Sequence, residues 1–258
     1  MIQYMTLKGS INSLVKKFGY EIIPADTLDL KRFPLGMPEK QKIMVRRLSE
    51  FSMTSYGTLG VLMDAVRYVI KNNIQGDVVE CGIGKGGSIM AIAETLIDLE
   101  SFEKEIFLYD TYEGFPEPGK FDINFKNETA SMIKQREFEK GRKWGMVATL
   151  KEVKKNVFST KYPEHKFKFI KGKVEDTIPK HIPEKISILR LDTDFYESTK
   201  HELIHLFPRL SKYGILIIDD YGHWSGSRKA VDEYFLERTP IFFQTTSKNG
   251  DILGVKTD

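Results

Sequence analysis

Gly76-Asp77-Val78-Val79-Glu80-Cys81-Gly82-Ile83-Gly84-Lys85-Gly86-Gly87-Ser88 is the stretch on which the fold turns. The run from Asp77 to Glu80 reads as a buried strand, and Ile89 to Leu99 has helical periodicity. Between them, four glycines crowd into the six positions from Gly82 to Gly87. Glycine reaches positive φ without a Cβ penalty and lets a ligand approach main-chain N–H groups. The following helix adds the partial positive charge of its N-terminus. One or two glycines would signify only a sharp turn. Four, with an acid closing the strand, point to a nucleotide-type cofactor, and Glu80, Gly82, Gly84, Gly86 and Ser88 are the residues placed to meet it.

The loop belongs to a chain of 258 residues, 41% hydrophobic and 29% charged, which is enough for one sizeable α/β core with an appended arm. Its 39 basic and 36 acidic residues leave a net charge of +3, and the lysines are scattered. Nucleic-acid binding draws on a concentrated basic field, so no nucleic acid is expected as partner. No apolar run approaches the roughly 20 residues of a membrane span, and Met1 to Tyr20 lacks the hydrophobic core of a signal peptide. Cys81 is the only cysteine. No intrachain disulfide can form, which suits a reducing, cytoplasmic setting, and the thiol is expected to be a small buried residue.

Upstream of the loop, Leu7 to Phe18 is weakly amphipathic and basic, and Pro24, Pro34 and Pro38 interrupt any regular pattern. Residues 1–52 therefore read as an arm and lid, and residues 53–258 as the main domain. Leu59, Leu62, Met63, Val66, Val69 and Ile70 fall at helical spacing from Thr58 to Asn72. The entry to that helix, Met53-Thr54-Ser55-Tyr56-Gly57, holds more hydroxyls than capping requires, leaving some for a ligand. Downstream, Glu105 to Tyr109 reads as a second strand ending at Asp110. In a doubly wound sheet an acid at that position is placed to accept hydrogen bonds from a ribose. Thr111 to Lys126, rich in aromatics, glycine and proline, is a long loop and is expected to form a lid.

Helix is then expected from Met146 to Phe158 and strands at Phe167 to Ile170 and Ile186 to Leu191. A further helix runs through Leu203, Leu206 and Phe207, capped by Ser198 or Thr199 and ending before a turn at Lys212-Tyr213-Gly214. Next come a strand from Ile215 to Ile218, a helix from Arg228 to Leu236, and strands from Ile241 to Thr246 and Ile252 to Lys256 joined by an Asn249-Gly250 hairpin. This alternation argues a parallel sheet with helices on both faces. Two strand ends deliver Asp192, Asp194, Asp219 and Asp220 to one edge. Carboxylates so crowded repel one another unless a cation shares them, and an all-oxygen set suits a hard divalent ion such as Mg²⁺. The histidines offer no ligand spacing, and His201 with His205 are read as surface or packing residues.

The segments GDVVECGIGKGG, LYDTYEGFP, LRLDTDFYEST and DDYGHWSGSRKAVDEY, in this order, resemble the macrocin O-methyltransferase family from about Met53 onward. The resemblance implies an S-adenosylmethionine- and Mg²⁺-dependent enzyme acting on a hydroxyl of a sugar or glycosylated small molecule in natural-product biosynthesis, while Lys8-Gly9-Ser10 to Phe18-Gly19-Tyr20 loosely resembles proteins of bacterial surface-glycan pathways. It implies a class I methyltransferase, Rossmann-like fold of seven strands with the last antiparallel. It also implies that Glu80, Gly82 and Gly86 line the methionine side of the cofactor, that Ser55 and Tyr56 reach its carboxylate, and that Asp110 holds its ribose. It further implies that Val174, Glu175 and Asp176 lie near its adenine. Asp192, Asp219 and Asp220 hold the metal on the same grounds. For the base, Asp194 is favoured over Asp192 and His223. An NAD(P)-dependent oxidoreductase and a non-catalytic binding module stay open as other readings, as does a homo-oligomer.

Overall fold

The structure is a computed structural model and describes residues 33–145, 147–236, 241–244 and 250–257, together with Val15 and Lys17. Apart from those two residues, the basic segment from Leu7 to Phe18 lies outside the described residues, as does Pro24. The chain divides into a unit of residues 1–38 and a larger one of residues 39–258. In the larger unit the helices are α1 (Glu39–Leu48), α2 (Tyr56–Lys71), α3 (Gly87–Asp98), α4 (Ala130–Glu139), α5 (Leu150–Phe158), α6 (Val174–Thr177), α7 (Tyr196–Leu206) and α8 (Ser225–Phe235). The strands are β1 (Asp77–Cys81), β2 (Ile106–Asp110), β3 (Phe167–Lys171), β4 (Ile186–Leu191), β5 (Leu210–Ile218), β6 (Ile241–Gln244) and β7 (Ile252–Val255).

The sheet has the order β3-β2-β1-β4-β5-β7-β6. β3, β2, β1, β4 and β5 are parallel neighbours, while β7 runs antiparallel to both β5 and β6. The order reverses between β1 and β4, so the crevice beyond their carboxyl ends is the position where open α/β sheets bind ligands. Strand alternation sorts the two faces. Val79, Cys81, Leu189, Leu191, Leu216 and Ile218 join Leu203, Leu206 and Val231 of α7 and α8 in one core. Val78, Glu80, Ile188, Arg190 and Ile217 point to the opposite face, where α2 buries Leu59, Leu62, Met63, Val66 and Val69. α1 packs on α3 through buried Met44, Val45 and Leu48 and the ion pairs Arg47–Glu94 and Lys40–Asp98. That segment was expected within the arm. Its buried face makes it part of the larger unit.

Local signals set most boundaries, and four depart from expectation. Thr149 and Glu152 form a reciprocal capping box, which starts α5 at Leu150, not near Met146, itself outside the described residues. Ser198 and Thr199 lie inside α7. The N–H of Tyr196, the helix's first residue, is instead met by the Asp122 carboxylate at 2.9 Å, across 74 residues of sequence. Lys212-Tyr213-Gly214 is no turn between elements. It is an irregularity within β5, where Tyr213 has φ 63° and the pairing with β4 slips between Ile186 and Ile188. α4 was not expected at all, because ASMIKQREFE has no apolar stripe and buries only Ala130. Of the hairpin loop, residues 245–249 lie outside the described residues. Among those described, no helix is long and apolar enough to cross a membrane.

Candidate active site

A cavity of about 510 Å³ opens at the carboxyl ends of β1, β2, β4 and β5. One wall is the glycine loop. Gly82, Ile83, Gly84 and Ser88 line it, with Asp110, Lys173, Val174 and Glu175 beyond and Ser52, Met53 and Thr54 above. Gly82 has φ 83°, and a Cβ there would collide with the carbonyl oxygen of Asp192, so the glycine also lets the ends of β1 and β4 meet. Asp110 braces the loop: one carboxylate oxygen accepts from Ile83 N at 2.7 Å and the other from Tyr112 N. Each oxygen keeps lone-pair capacity toward the cavity.

Other expected cofactor residues lie elsewhere. Ser55 is used as the N-cap of α2, accepting from Thr58 N. Tyr56 begins that helix and its hydroxyl lies 3.4 Å from Ser49 Oγ. Neither is on the wall, where Ser52 to Thr54 stand instead. Gly86 caps α3 with φ 91°, its Cα facing Val157 and Val153 of α5. Asp176 sits on α6 away from the cavity, while its neighbours Val174 and Glu175 reach it. Glu80 is fully buried beneath the wall, bound to Ser88 Oγ and Arg190 Nη1.

The floor is the acid edge. Asp192, Asp219 and Asp220 each offer a carboxylate oxygen, all within 4.8 Å of one another. Sequence reasoning missed the cation beneath them. Arg190 is 1% exposed and lies 2.7 Å from Glu80, 2.8 Å from Asp192 and 2.8 Å from Asp219. The signal was available: a charged residue inside the apolar run ISILRL of a central strand must find a partner, and Glu80 in DVVEC poses the same demand. Burial drives the carboxyl of Asp192 well above the usual carboxylate range; Arg190 opposes that shift, and Asp219 and Asp220 reinforce it. Asp220 is likewise raised, by burial and then by Asp194. Asp194, held at φ 68°, is pushed up to about 7 by burial, with hydrogen bonds from Asp220 and Trp224 pulling the other way.

One guanidinium faces four carboxylates, Glu80, Asp192, Asp219 and Asp220, and Glu80 Oε2, Asp219 Oδ1 and Arg190 Nε are buried without a hydrogen-bond partner. Three hard oxygen donors beside unmatched negative charge fit a divalent ion such as Mg²⁺. The far wall is aromatic. Phe115, Trp144 and Trp224 line the cavity with His223. Phe195 backs them, its ring centroid 5.6 to 5.8 Å from those of Phe115, Trp144 and Trp224. Residues 119–130 are docked behind this wall: Phe125 N donates to His223 O, Ser225 Oγ to Phe121 O, and Asp122 accepts from Gly119 and Tyr196.

Cys81 and the histidines fall where expected. The thiol is buried and raised, beside Glu202. His201 and His205 pack on each other 4.4 Å apart on α7, with His201 Nε2 at the Ile178 carbonyl.

This architecture has relatives. The demethyldecarbamoylnovobiocin O-methyltransferase of Streptomyces niveus is 28% identical over 173 residues, which are 67% of this chain and 63% of that enzyme. The chain thus spans under two thirds of that relative's length. The 8-demethyl-8-(2,3-dimethoxy-alpha-L-rhamnosyl)-tetracenomycin-C 4'-O-methyltransferase of Streptomyces olivaceus is 31% identical over 184 residues, 71% of this chain and 67% of that one. The solved structure of the O-methyltransferase NovP superposes with a TM-score of 0.70 at 25% identity, covering 81% of this chain and 83% of that one. The sheet and its flanking helices are therefore those of a class I methyltransferase fold. The macrocin O-methyltransferase (TylF) family model matches residues 33–241, most of the described sheet and all of the cavity's walls, and the chain belongs to that family.

Proposed function

We propose that this chain transfers a methyl group from S-adenosylmethionine to a hydroxyl of a sugar or glycosylated small molecule, using a divalent ion such as Mg²⁺ held by Asp192, Asp219 and Asp220. The observation that carries this reading is the acid triad on the floor of one cavity, between a glycine-loop wall and an aromatic wall. When bound, the sulfonium supplies an electrophilic methyl group and the ion supplies Lewis acidity that makes the acceptor hydroxyl easier to deprotonate.

The chain's own residues do the rest. The main-chain N–H of Gly84 and the carboxylate of Asp110 hold the cofactor, and Val174 and Glu175 flank its base. Asp194, whose carboxyl is raised by burial and which lines the cavity beside the acid triad, takes the proton of the acceptor hydroxyl. Asp192 and His223 stand near enough to the same space to position the acceptor. Phe115, Trp144 and Trp224 exclude water and offer flat faces to the apolar side of a pyranose. The rhamnosyl group named for the Streptomyces olivaceus relative supports a sugar acceptor. Residues 111–130 act as the lid of this domain.

A label-transfer screen with methyl-labelled S-adenosylmethionine tests the reading. Free deoxysugars, nucleotide sugars and glycosides should accept label in the presence of Mg²⁺, and matched aglycones and catechols should not. Transfer confined to non-sugar phenols would overturn the acceptor class.

A further inference from the structure

Arg190 and Glu80 are register partners on neighbouring parallel strands, and Ile217 of β5 is Arg190's partner on the other side. The guanidinium therefore sits beneath the junction of β1, β4 and β5. Its contacts divide between the two halves of the site. Nη1 donates to Glu80 Oε1 at 2.7 Å and to Asp192 Oδ2 at 2.8 Å. Nη2 donates to Thr54 Oγ1 at 2.9 Å and lies 2.8 Å from Asp219 Oδ1, out of line for a hydrogen bond. Thr54 belongs to the cavity wall above the glycine loop, and Glu80 also binds Ser88 of that wall. Asp192 and Asp219 belong to the acid triad. One planar fork is thus shared between a cofactor-side pair and a metal-side pair.

We propose that Arg190 is a positioning residue that couples metal and cofactor binding. With no ion bound, its fork holds Asp192 and Asp219 at ligand spacing. When those carboxylates turn to a divalent ion, the fork is left to Glu80 and Thr54 and fixes the wall against which the cofactor binds. The coupling is reciprocal, since linkage requires each ligand to tighten the other by the same factor. The inference rests on the cofactor and metal proposed above. Lysine cannot substitute, because a point charge on a flexible stem cannot hold carboxylates from three strands and a hydroxyl at once.

The test uses the full chain, S-adenosylhomocysteine and Mn²⁺. Calorimetry measures S-adenosylhomocysteine affinity in chelator and at saturating Mn²⁺, and electron paramagnetic resonance measures Mn²⁺ affinity with and without S-adenosylhomocysteine. In the wild type each ligand should tighten the other by about fivefold or more. In Arg190→Lys the coupling factor should fall to near one, and Mn²⁺ should bind about tenfold more weakly, the usual effect of losing a partner that orients metal ligands. A general loosening would weaken both ligands and leave their coupling intact. Thr54→Val, nearly isosteric, provides a milder arm: it should cut the coupling while leaving Mn²⁺ affinity unchanged in the absence of S-adenosylhomocysteine. Both ligands binding to the wild type without coupling, or full coupling in both variants, would overturn the inference alone. A wild type that binds neither ligand would overturn the functional reading and this inference with it.

Discussion

In the proposed reaction Asp194 and Asp219, on one sheet edge, have different tasks, and two near-isosteric changes separate them. Asp219→Asn removes a ligand charge, so the Mg²⁺ concentration for half-maximal turnover should rise about tenfold or more. Asp194→Asn removes the proton acceptor. It should lower kcat by about 10² to 10⁴ with little change in that Mg²⁺ requirement. Steady-state rates over a Mg²⁺ titration distinguish the two, and the reverse pattern would exchange the roles. On the cofactor wall, Asp110→Ala should weaken S-adenosylmethionine by about 1–3 kcal/mol, the cost of a lost charge-assisted bond. Gly82→Val should abolish that binding altogether, since its side chain would collide with the backbone of Asp192; calorimetry reads both. At this scale the sequence announced residues whose type and place are both unusual, such as glycines at a strand end or paired aspartates after apolar runs. It was less direct about Ser55, whose hydroxyl caps α2, and about Gly86, which frees space for α5. Which way such a residue faces is decided by packing partners far away in sequence.

Helices and loops are where tertiary contacts overrode local pattern. α7 begins at Tyr196 because Asp122, from the segment behind the aromatic wall, meets its first N–H, and a Cβ at Gly226 in the first turn of α8 would strike the same carboxylate. Nothing near residue 196 in sequence carries that information. Asp122→Ala should therefore destabilise the protein by about 1–2 kcal/mol and raise hydrogen exchange across residues 119–130. Unchanged exchange there would show that Asp122 does not dock the lid. Behind the acid edge, Glu202 of α7 is fully buried, accepting from Thr193 Oγ1 at 2.9 Å and lying beside Cys81. Burial raises its carboxyl well above the ordinary value of 4.5, with the Thr193 bond partly opposing. The native state therefore keeps a proton that the unfolded chain releases. The stability this group contributes is complete below the unfolded value and is lost as pH rises through the folded one. Glu202→Gln should flatten the decline of stability as pH rises above about 4.5, as followed by denaturant titration. An unaltered pH profile would mean that Glu202 is already ionised in the native state.

Across the whole molecule, the alternation of apolar runs and helical periodicities was enough to read a doubly wound sheet, because buried parallel strands have little else they can be. The order reversal at β1 and β4 then places every strand-end acid in one crevice. The far wall was not legible in the same way. Phe115, Trp144 and Trp224 come from three separate segments, and only the folded chain shows that they share a surface with Asp194 and His223. Arg190 joins the two halves from below. Metal-assisted methyl transfer to a sugar hydroxyl is the central proposal, and chelation tests it most directly. With a sugar acceptor in hand, turnover measured by mass spectrometry should cease in EDTA and return when Mg²⁺ is added in excess, while S-adenosylmethionine still binds without the ion, with affinity reduced by about fivefold or more. Full methyl transfer by a rigorously metal-free preparation would contradict it.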